Sequence, residues 1–433
     1  MTGALRVWWA LRRGVGRESH IPAVLALVAF AVATAALLVC AGGLTGFRSR
    51  ADVAGTDSAE YYVTLAWVAC AVMVVPVLTL GGLAARLAAS RRDQRLATLR
   101  LSGATSGQVV VMTLTEAVGQ ALLGGVLGVV LYAAVLPGLA RLDFQGRPFT
   151  VGELWVGVPV VLLVLAAVTL LAVVSGLVGL RRVVIGPLGV TARVSPPRLR
   201  WWRVVAVFVL LTGWLVVARS NLATAVILTV LVGVVATVNL VGPYLVMLVG
   251  FVVASTSLRF PTLLAARRLV DDARSTWRAV SAIGLGVIVA GLSTMVAGSG
   301  DAGGPDGYEF LGADMATGAY LTLAIIAVVS ATSTGVVQAA RVLDQREQYR
   351  ALALAGAGER SLHAARTREV ALPLVVTVLV AGGMTLALMV PFAQRIGPEL
   401  LVRFGVAVVA AVALMVASVA ASRPLVRSVC AVP

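Results

Sequence analysis

The chain of 433 residues is 60% hydrophobic and only 12% charged, whereas soluble domains are about 45–50% apolar and about 25% charged. A folded surface in water needs roughly twice this share of charged residues, so the composition excludes a soluble globular enzyme. The formal net charge is +16, and all 35 basic residues are arginine. Because the sequence has no lysine, a P-loop of the GxxxxGK[ST] type and Schiff-base chemistry are also excluded.

Uninterrupted apolar stretches predict an all-α polytopic membrane protein with about ten transmembrane helices, since about 20 apolar residues cross the hydrocarbon core. In chain order, the predicted spans are 21–43, 62–85, 110–137, 155–179, 204–218, 222–257, 279–298, 315–337, 370–391 and 401–422. The sixth stretch is too long for one straight crossing, and Asn239, Gly242 and Pro243 lie in its middle, where a helix is expected to break or kink. Two interpretations stay open there: one long broken helix, or a span followed by a re-entrant piece.

The arginines are distributed unevenly between the two sides of the predicted bundle. The side that holds both termini has 28 of them, and the opposite side has seven. The positive-inside rule therefore places both termini in the cytoplasm of a cell membrane, with the arginines available to anionic lipids. Trp277 is one of several tryptophans expected in the interfacial layer on this side. A nucleic-acid partner is not expected, because the arginines are spread over many separate loop ends.

Two segments of the chain are similar to each other at a spacing of 253 residues. LRLSGAT at 99–105 resembles LALAGAG at 352–358, and the same offset relates Glu116 to Glu369. Each repeat is expected to hold four spans, and the two repeats are expected to be parallel, about an axis along the membrane normal. The predicted domains are a first repeat at 1–180 with spans one to four, a linker with spans five and six at 181–260, and a second repeat at 261–433 with spans seven to ten.

Each repeat has a basic segment that is expected to project into the cytoplasm between two spans. We call these segments, 86–110 and 337–362, the first and the second knob. In each knob, leucines near helical spacing beside charged residues predict an amphipathic helix, and a glycine ends it. Two ordinary solvated surface helices are the alternative interpretation. The occurrence of the two knobs at equivalent places in the repeat instead favours docking on a symmetric, two-lobed partner.

The residues of the two knobs resemble those of the FtsX-like permeases, the membrane subunits of the ABC transporters that include MacB, the lipoprotein-releasing permeases and BceB. That family's pattern is an Arg-rich stretch with an acidic residue, then a leucine-rich turn ending in Gly-Ala, then a Glu that opens the next span. The residues that match it are Arg91, Arg92, Asp93, Leu99, Gly103, Ala104 and Glu116 in the first repeat, and Arg346, Glu347, Leu352, Gly356, Ala357 and Glu369 in the second. The two-repeat, ten-span plan looks most like BceB. The large extracytoplasmic domain of these relatives is not expected here, because the predicted outer loops at 44–61, 138–154 and 299–314 are short.

The resemblance implies that a separate cytoplasmic ABC ATPase binds and hydrolyses ATP, and the lack of lysine agrees with this. The chain itself is then expected to be no enzyme and to hold no cofactor or metal. Its knobs would dock on an ATPase dimer, with one permease chain per two ATPases. The expected activity is export or extraction of a lipophilic or amphipathic substrate. The alternatives are a non-transporting mechanical signal transmitter driven by an ATPase, and a secondary transporter driven by an ion gradient.

Three polar features in or beside the spans have both a structural and a functional interpretation. Glu116 and Glu369 are expected at the N-termini of spans three and nine, where the helix dipole favours a carboxylate; alternatively, they pair with knob arginines and transmit motion. The break at Asn239, Gly242 and Pro243 is either a packing kink or a binding site. The acidic outer loop with Asp301, Asp306, Glu309 and Asp314 is expected to be solvated or to contact an outer partner.

Overall fold

The computed structural model of the protein describes residues 21–54, 57–90, 106–185, 212, 241–271, 273–299, 310–344, 351, 354–356, 358–390 and 398–420. The helices in chain order are α1 Ile21–Ala54, α2 Asp57–Ser90, α3 Ser106–Leu139, α4 Val151–Leu154, α5 Gly157–Ile185, α6 Val241–Thr256, α7 Phe260–Asp271, α8 Ala273–Ser299, α9 Leu311–Asp344, α10 Glu359–Met389 and α11 Pro398–Ala420. A short antiparallel hairpin of β1 Asp143–Phe144 and β2 Arg147–Pro148 precedes α4.

Seven helical stretches within the described residues are long and apolar enough to cross a membrane. They coincide with the predicted spans one to four and eight to ten. Two shorter apolar stretches, Val241–Thr256 and Val280–Gly291, coincide with parts of the predicted spans six and seven. The prediction of an all-α polytopic membrane protein is therefore confirmed. The number of about ten spans stays a prediction, because span five and the first half of span six lie almost entirely outside the described residues.

The helices pack in the same order in two parts of the molecule, which we call the first half (α1–α5) and the second half (α8–α11). In the first half α1 packs on α2 and α3, and α5 packs on both of these; α8, α9, α10 and α11 repeat this arrangement. α3 and α10 begin 253 residues apart, which is the offset between the similar sequence segments. α2 and α9 have equal lengths and begin 254 residues apart. The predicted domain boundaries stay predictions, and α5 continues to Ile185, past the predicted end of the first repeat at 180.

Small residues bring the first and third helices of each half into close contact. A Cβ atom added to Gly128 of α3 would lie 2.6 Å from the carbonyl oxygen of Ala31 on α1. At the corresponding contact in the second half, a Cβ on Gly284 of α8 would lie 2.8 Å from Cγ2 of Thr377 on α10. Ala31 and Gly284 are also 253 residues apart, as are Gly124 and Thr377. Close backbone approach of this kind is the usual way in which membrane helices associate, and here it occurs at equivalent positions of both halves.

The two halves meet mainly where α9 packs against α1 and α2. One cluster of buried apolar side chains extends through both halves. We call the two ends of the bundle by the elements found there. The hairpin end carries β1, β2 and the first residues of α2 and α9. The elbow end carries the short helix α7 and the first residues of α3 and α10.

The long helices extend beyond the hydrocarbon thickness. α1, α2, α3 and α9 have 34 residues each, which at about 1.5 Å per residue gives about 51 Å, against roughly 30 Å for the hydrocarbon core. The prediction of a loop at 44–61 is therefore wrong: α1 and α2 continue through the described part of that segment. The extensions remain helical because they pack on the hairpin and on each other. Trp67 and Trp155 are exposed near the hairpin end, as is typical of interfacial rings.

Candidate coupling surface and contacts between the halves

Most of the predicted coupling residues lie outside the described residues. These are Arg92, Asp93, Leu99, Gly103 and Ala104 in the first knob, and Glu347, Leu352 and Ala357 in the second. Gly356 of the second knob is described, together with its neighbours Leu354, Ala355 and Gly358. The roles assigned to the knob residues therefore stay predictions, and the second knob supplies the geometry.

The second knob ends in a tight turn directly before α10. The amide of Ala355 donates to the carbonyl of Ala351 at 2.9 Å, which completes one helical turn. Gly356 then adopts φ +89°, a left-handed conformation that glycine reaches without a Cβ clash and that commonly ends a helix. Gly358 is the N-cap of α10 in an extended conformation. The side chain of Leu354 is 77% exposed, so the turn presents a leucine to its surroundings.

Glu369 joins α10 to the short helix α7. Its Oε2 lies 3.3 Å from Nη1 of Arg268, and the carboxylate is almost completely buried while the guanidinium is partly exposed. α10 begins at Glu359, so Glu369 lies ten residues beyond the helix start. The helix dipole acts within the first turn, so the prediction that Glu369 lies at a helix N-terminus is wrong. The acid is a buried partner of an arginine on α7.

Two further arginines attach the same end of α10 to its neighbours. Arg366 is fully buried, and its Nη2 donates to the backbone carbonyl of Gln338 on α9 at 3.1 Å. Nη1 of Arg368 donates to Oγ1 of Thr262 on α7 at 2.7 Å. α10 is therefore linked at the elbow end to both α7 and α9, and a displacement of its first turns would be transmitted to both helices.

Glu116 is the equivalent of Glu369 in the first half. It lies ten residues beyond Ser106, the first residue of α3, and is half-buried. Nε2 of Gln120 donates to its Oε1 at 3.3 Å. Like Glu369, it lies well inside its helix, so its predicted position at a helix N-terminus is also wrong. The functional interpretation of both acids stays a prediction.

The predicted helix break is only partly described. Asn239 lies outside the described residues, whereas Gly242 and Pro243 lie in α6, which is continuous from Val241 to Thr256. A Cβ on Gly242 would overlap the indole ring of Trp277 on α8. Trp277 is buried, so its prediction as an interfacial tryptophan is wrong. Gly242 therefore allows a close approach of α6 to α8, which favours the packing interpretation at this residue.

At the hairpin end, Arg50 of α1 holds the β-hairpin in place. Gln145 and Gly146 form its two-residue turn with φ +57° and +73°, as in hairpin turns in which both central residues have positive φ. The buried guanidinium of Arg50 donates to the carbonyls of Phe144 at 2.7 Å and Pro148 at 2.8 Å. The same group makes ionic hydrogen bonds to the carboxylate of α4, at 3.2 Å and 3.4 Å. One side chain thereby satisfies both strands of the hairpin and the helix that follows.

That carboxylate belongs to Glu153, which also closes a capping box with Thr150. Arg147 approaches the same Glu153 at 3.5 Å, but its side chain is 61% exposed, against 3% for Arg50. Aromatic rings fill the space beneath: Phe47 of α1 stacks on Tyr62 and meets the rings of Phe144 and Phe149 edge-on. The hairpin end is thus a compact polar and aromatic cap on the first half.

Asp314 of α9 connects the second half to this cap. Its Oδ2 accepts a hydrogen bond from the hydroxyl of Tyr62 at 2.6 Å and another from the amide of Gln145 at 2.8 Å. Asp314 and Tyr62 are both buried. The prediction that Asp314 is solvated or contacts an outer partner is therefore wrong, because its carboxylate is held inside the chain.

Some local features of the hairpin end can be predicted from the sequence. The Thr-x-x-Glu spacing of Thr150 and Glu153 predicts a capping box, and Gln145-Gly146 is compatible with a tight turn. No pattern predicts that Arg50 lies against Glu153, or that Tyr62 meets Asp314 from 252 residues away. These pairs depend on how the helices extend beyond the membrane.

The comparisons with known proteins give one match. Residues 82–187 match the family model described as FtsX-like permease C-terminal. The matched stretch covers about a quarter of the chain, and it contains the first knob, α3, the hairpin, α4 and α5. No curated protein matches the chain, and no solved structure does.

Proposed function

We propose that this chain, an FtsX-like permease by its match over residues 82–187, is the membrane subunit of an ABC transporter. A separate cytoplasmic ATPase dimer would bind and hydrolyse ATP, and the two knobs would dock on it, one knob per ATPase. The arginine excess supports placing the elbow end in the cytoplasm, with both termini on that side.

The observation that carries this proposal is the turn of the second knob. Leu354 is 77% exposed at the turn before α10, outside the apolar stretch of α10 that is long enough to cross the membrane. A single exposed leucine is ordinary on a protein surface, but Leu354 and Gly356 lie in the turn that the sequence repeats 253 residues earlier as Leu101 and Gly103. Gly356 sets the direction of this turn, and α10 begins three residues later.

The contacts of α10 support a route from the knob to the rest of the molecule. The helix is joined to α7 through Arg268 and Glu369, and to α9 through Arg366. α9 in turn packs on α1 and α2 of the first half. Closure of an ATPase dimer on ATP would pull on the knobs and shift α10 and α9 against the first half. A rigid-body shift of packed helices is an ordinary way for such a motion to spread.

The experiment is a purification of the chain from membranes that also contain its ABC ATPase, followed by measurement of ATP hydrolysis. We expect a stable complex whose ATPase polypeptide carries the P-loop lysine that this chain lacks. Replacing 99–105 and 352–358 by polar linkers should abolish the complex, whereas Val53→Ala, at an exposed position of the hairpin end, should preserve it. Retention of the ATPase after both replacements would refute docking through the knobs.

A lipophilic or amphipathic substrate, exported or extracted from the bilayer, is the class that we propose. The support is that the described surface of the spans is strongly apolar, with exposed leucines and valines on α3, α5 and α11. ATP-dependent movement of such a molecule by the reconstituted complex should persist when ion gradients are dissipated. Loss of movement on adding ionophores would instead favour the secondary-transporter alternative.

Mechanical signalling is the second candidate, and one observation favours it. α1, α2 and α9 each continue without interruption from the elbow end to the hairpin end. A displacement at one end would therefore be transmitted over about 50 Å to the other end. A complex that hydrolyses ATP, changes the conformation of the hairpin end and moves no substrate would support this candidate over transport.

A further inference from the structure

One face of α9 lies against the hairpin of the first half. Phe310, Asp314 and Gly318 are spaced by four residues, and such residues share one face of a helix. A Cβ on Gly146 would lie 2.9 Å from the ring of Phe310, and one on Gly318 would lie 3.9 Å from the ring of Phe144. Phe310, directly before α9, and Asp314 and Gly318 in α9 therefore face the first half, with Asp314 in the middle.

The central contact is directional and charged. Both hydrogen bonds to Oδ2 of Asp314 come from the first half: one from the hydroxyl of Tyr62 on α2, and one from the amide of Gln145 in the hairpin turn. Hydrogen bonds to a carboxylate are about twice as strong as neutral ones. Asp314 is only 5% exposed, so both bonds are shielded from water, and a buried group that loses its partner costs free energy.

The two halves are not equivalent at this point. Counted from the first described residue of each helix, Asp314 is the fourth residue of α9, and the fourth residue of α2 is also an acid, Glu60. Glu60 is exposed, whereas Asp314 is buried between the halves. Of these two acids near the helix starts, only Asp314 is therefore an interior contact.

We infer that Asp314, Tyr62 and Gln145 form a latch that keeps the two halves together at the hairpin end, and that opening this latch is the step that exposes the space between the halves on that side. The latch joins the first residues of α9 to both α2 and the hairpin. α9 is also the helix that is linked to α10 at the elbow end. A shift of α9 that starts at the knob would therefore act directly on the latch.

The inference rests on the proposed function for one point, namely that the hairpin end faces the outside. The test uses a variant in which Cys40, Cys70 and Cys430 are replaced by alanine. A single cysteine is placed at Gly318, beside Phe144, or at Val53, which is 87% exposed at the same end. Intact cells are then treated with a membrane-impermeant maleimide, and the labelling rate is measured. Val53→Cys reports orientation, and Gly318→Cys reports the latch.

We expect Val53→Cys to be labelled rapidly in every background. Labelling of Gly318→Cys should rise about tenfold or more with Asp314→Asn or with Tyr62→Phe, because each weakens a hydrogen bond to a buried charged group. Glu60→Gln removes an exposed carboxylate near the start of α2 and should leave the rate unchanged. Tyr62→Phe keeps the aromatic ring, so it remains informative if Asp314→Asn does not fold.

The outcomes separate the two claims. If Val53→Cys is not labelled in intact cells, the orientation is wrong and the proposed function must be revised. If Val53→Cys is labelled but Gly318→Cys reacts at the same rate with and without both latch substitutions, the latch is refuted. An equal increase with Glu60→Gln would also refute it, because the effect would then not depend on the buried contact.

Discussion

Replacement of Arg50 by methionine should release the β-hairpin from the first half. The guanidinium of Arg50 is buried and bonds to the carboxylate of Glu153 and to the carbonyls of Phe144 and Pro148. Its guanidinium carbon also lies 3.9 Å above the ring of Phe149. Methionine keeps the length of the side chain but leaves these acceptors without their donor.

The magnitude follows from the burial of the two partners. Removing one member of a fully buried ion pair costs about 3–5 kcal/mol. The side chain of Glu153 is 18% exposed, so water can partly solvate it, and we expect the lower limit, about 3 kcal/mol. Since a factor of ten corresponds to about 1.4 kcal/mol, local opening of the hairpin should become roughly a hundredfold more frequent.

Hydrogen–deuterium exchange of the purified protein in lipid nanodiscs measures this opening directly, through the amides of residues 141–156. Arg147→Met is the matched control, because Arg147 approaches the same Glu153 but is largely exposed. An exposed pair contributes about 1 kcal/mol or less, so exchange should rise by about fivefold at most. Equal effects of the Arg50 and Arg147 substitutions, or no effect of Arg50→Met, would refute the reasoning.

Three further experiments test the packing, the buried ion pair and the turn. Gly128→Val should overpack the α1–α3 contact, destabilise the protein by about 1–3 kcal/mol and lower its thermal denaturation temperature in detergent. Gly119→Val should leave this temperature unchanged, because a Cβ at Gly119 meets nothing within 4 Å. Equal shifts for the two variants would contradict the close approach. In a double-mutant cycle of thermal stabilities, Arg268→Gln and Glu369→Gln should show a coupling of about 1–2 kcal/mol, because the carboxylate is buried; additive effects would show that the pair is not stabilising. Gly356→Ala should cost about 1 kcal/mol at a φ of +89° and make the turn before α10 more sensitive to limited proteolysis; unchanged cleavage would contradict the left-handed conformation.

The spans could be predicted from the sequence, because hydropathy alone decides where about 20 apolar residues must be buried in lipid. The helix ends could not. α1 and α2 continue through 44–54 and 57–61, where the sequence is polar enough to be taken for a loop. What keeps these extensions helical is their packing on the hairpin, and hydropathy does not report tertiary contacts.

The repeat could also be predicted from the sequence, because the turn before α10 and the similar segment before α3 share glycines at the same offset from the helix starts. The differences between the two halves could not be predicted from the sequence. Glu60 and Asp314 are each the fourth residue of their helices, α2 and α9, yet only Asp314 is enclosed by the other half. The sequence shows two acidic residues, and only the three-dimensional arrangement shows which of them has a buried donor.

The burial of single polar and aromatic residues could likewise not be predicted from the sequence. Trp277 follows a basic segment, which predicts an interfacial ring, but Gly242 leaves room for α6 to cover its indole ring. Glu369 was expected at a helix start, but the helix begins ten residues earlier and the acid pairs with Arg268. In both cases a neighbouring helix from a distant part of the chain decides the environment.

The central claim is that a separate ABC ATPase docks on the knobs, and a photo-crosslinking amino acid in place of Leu354 tests it most directly. Val53, which is similarly exposed at the opposite end of the bundle, is the control position. Irradiation of native membranes should couple position 354, and not position 53, to a polypeptide that mass spectrometry identifies by its P-loop. Adducts of position 354 with lipid alone, or with the same polypeptide from both positions, would contradict the account.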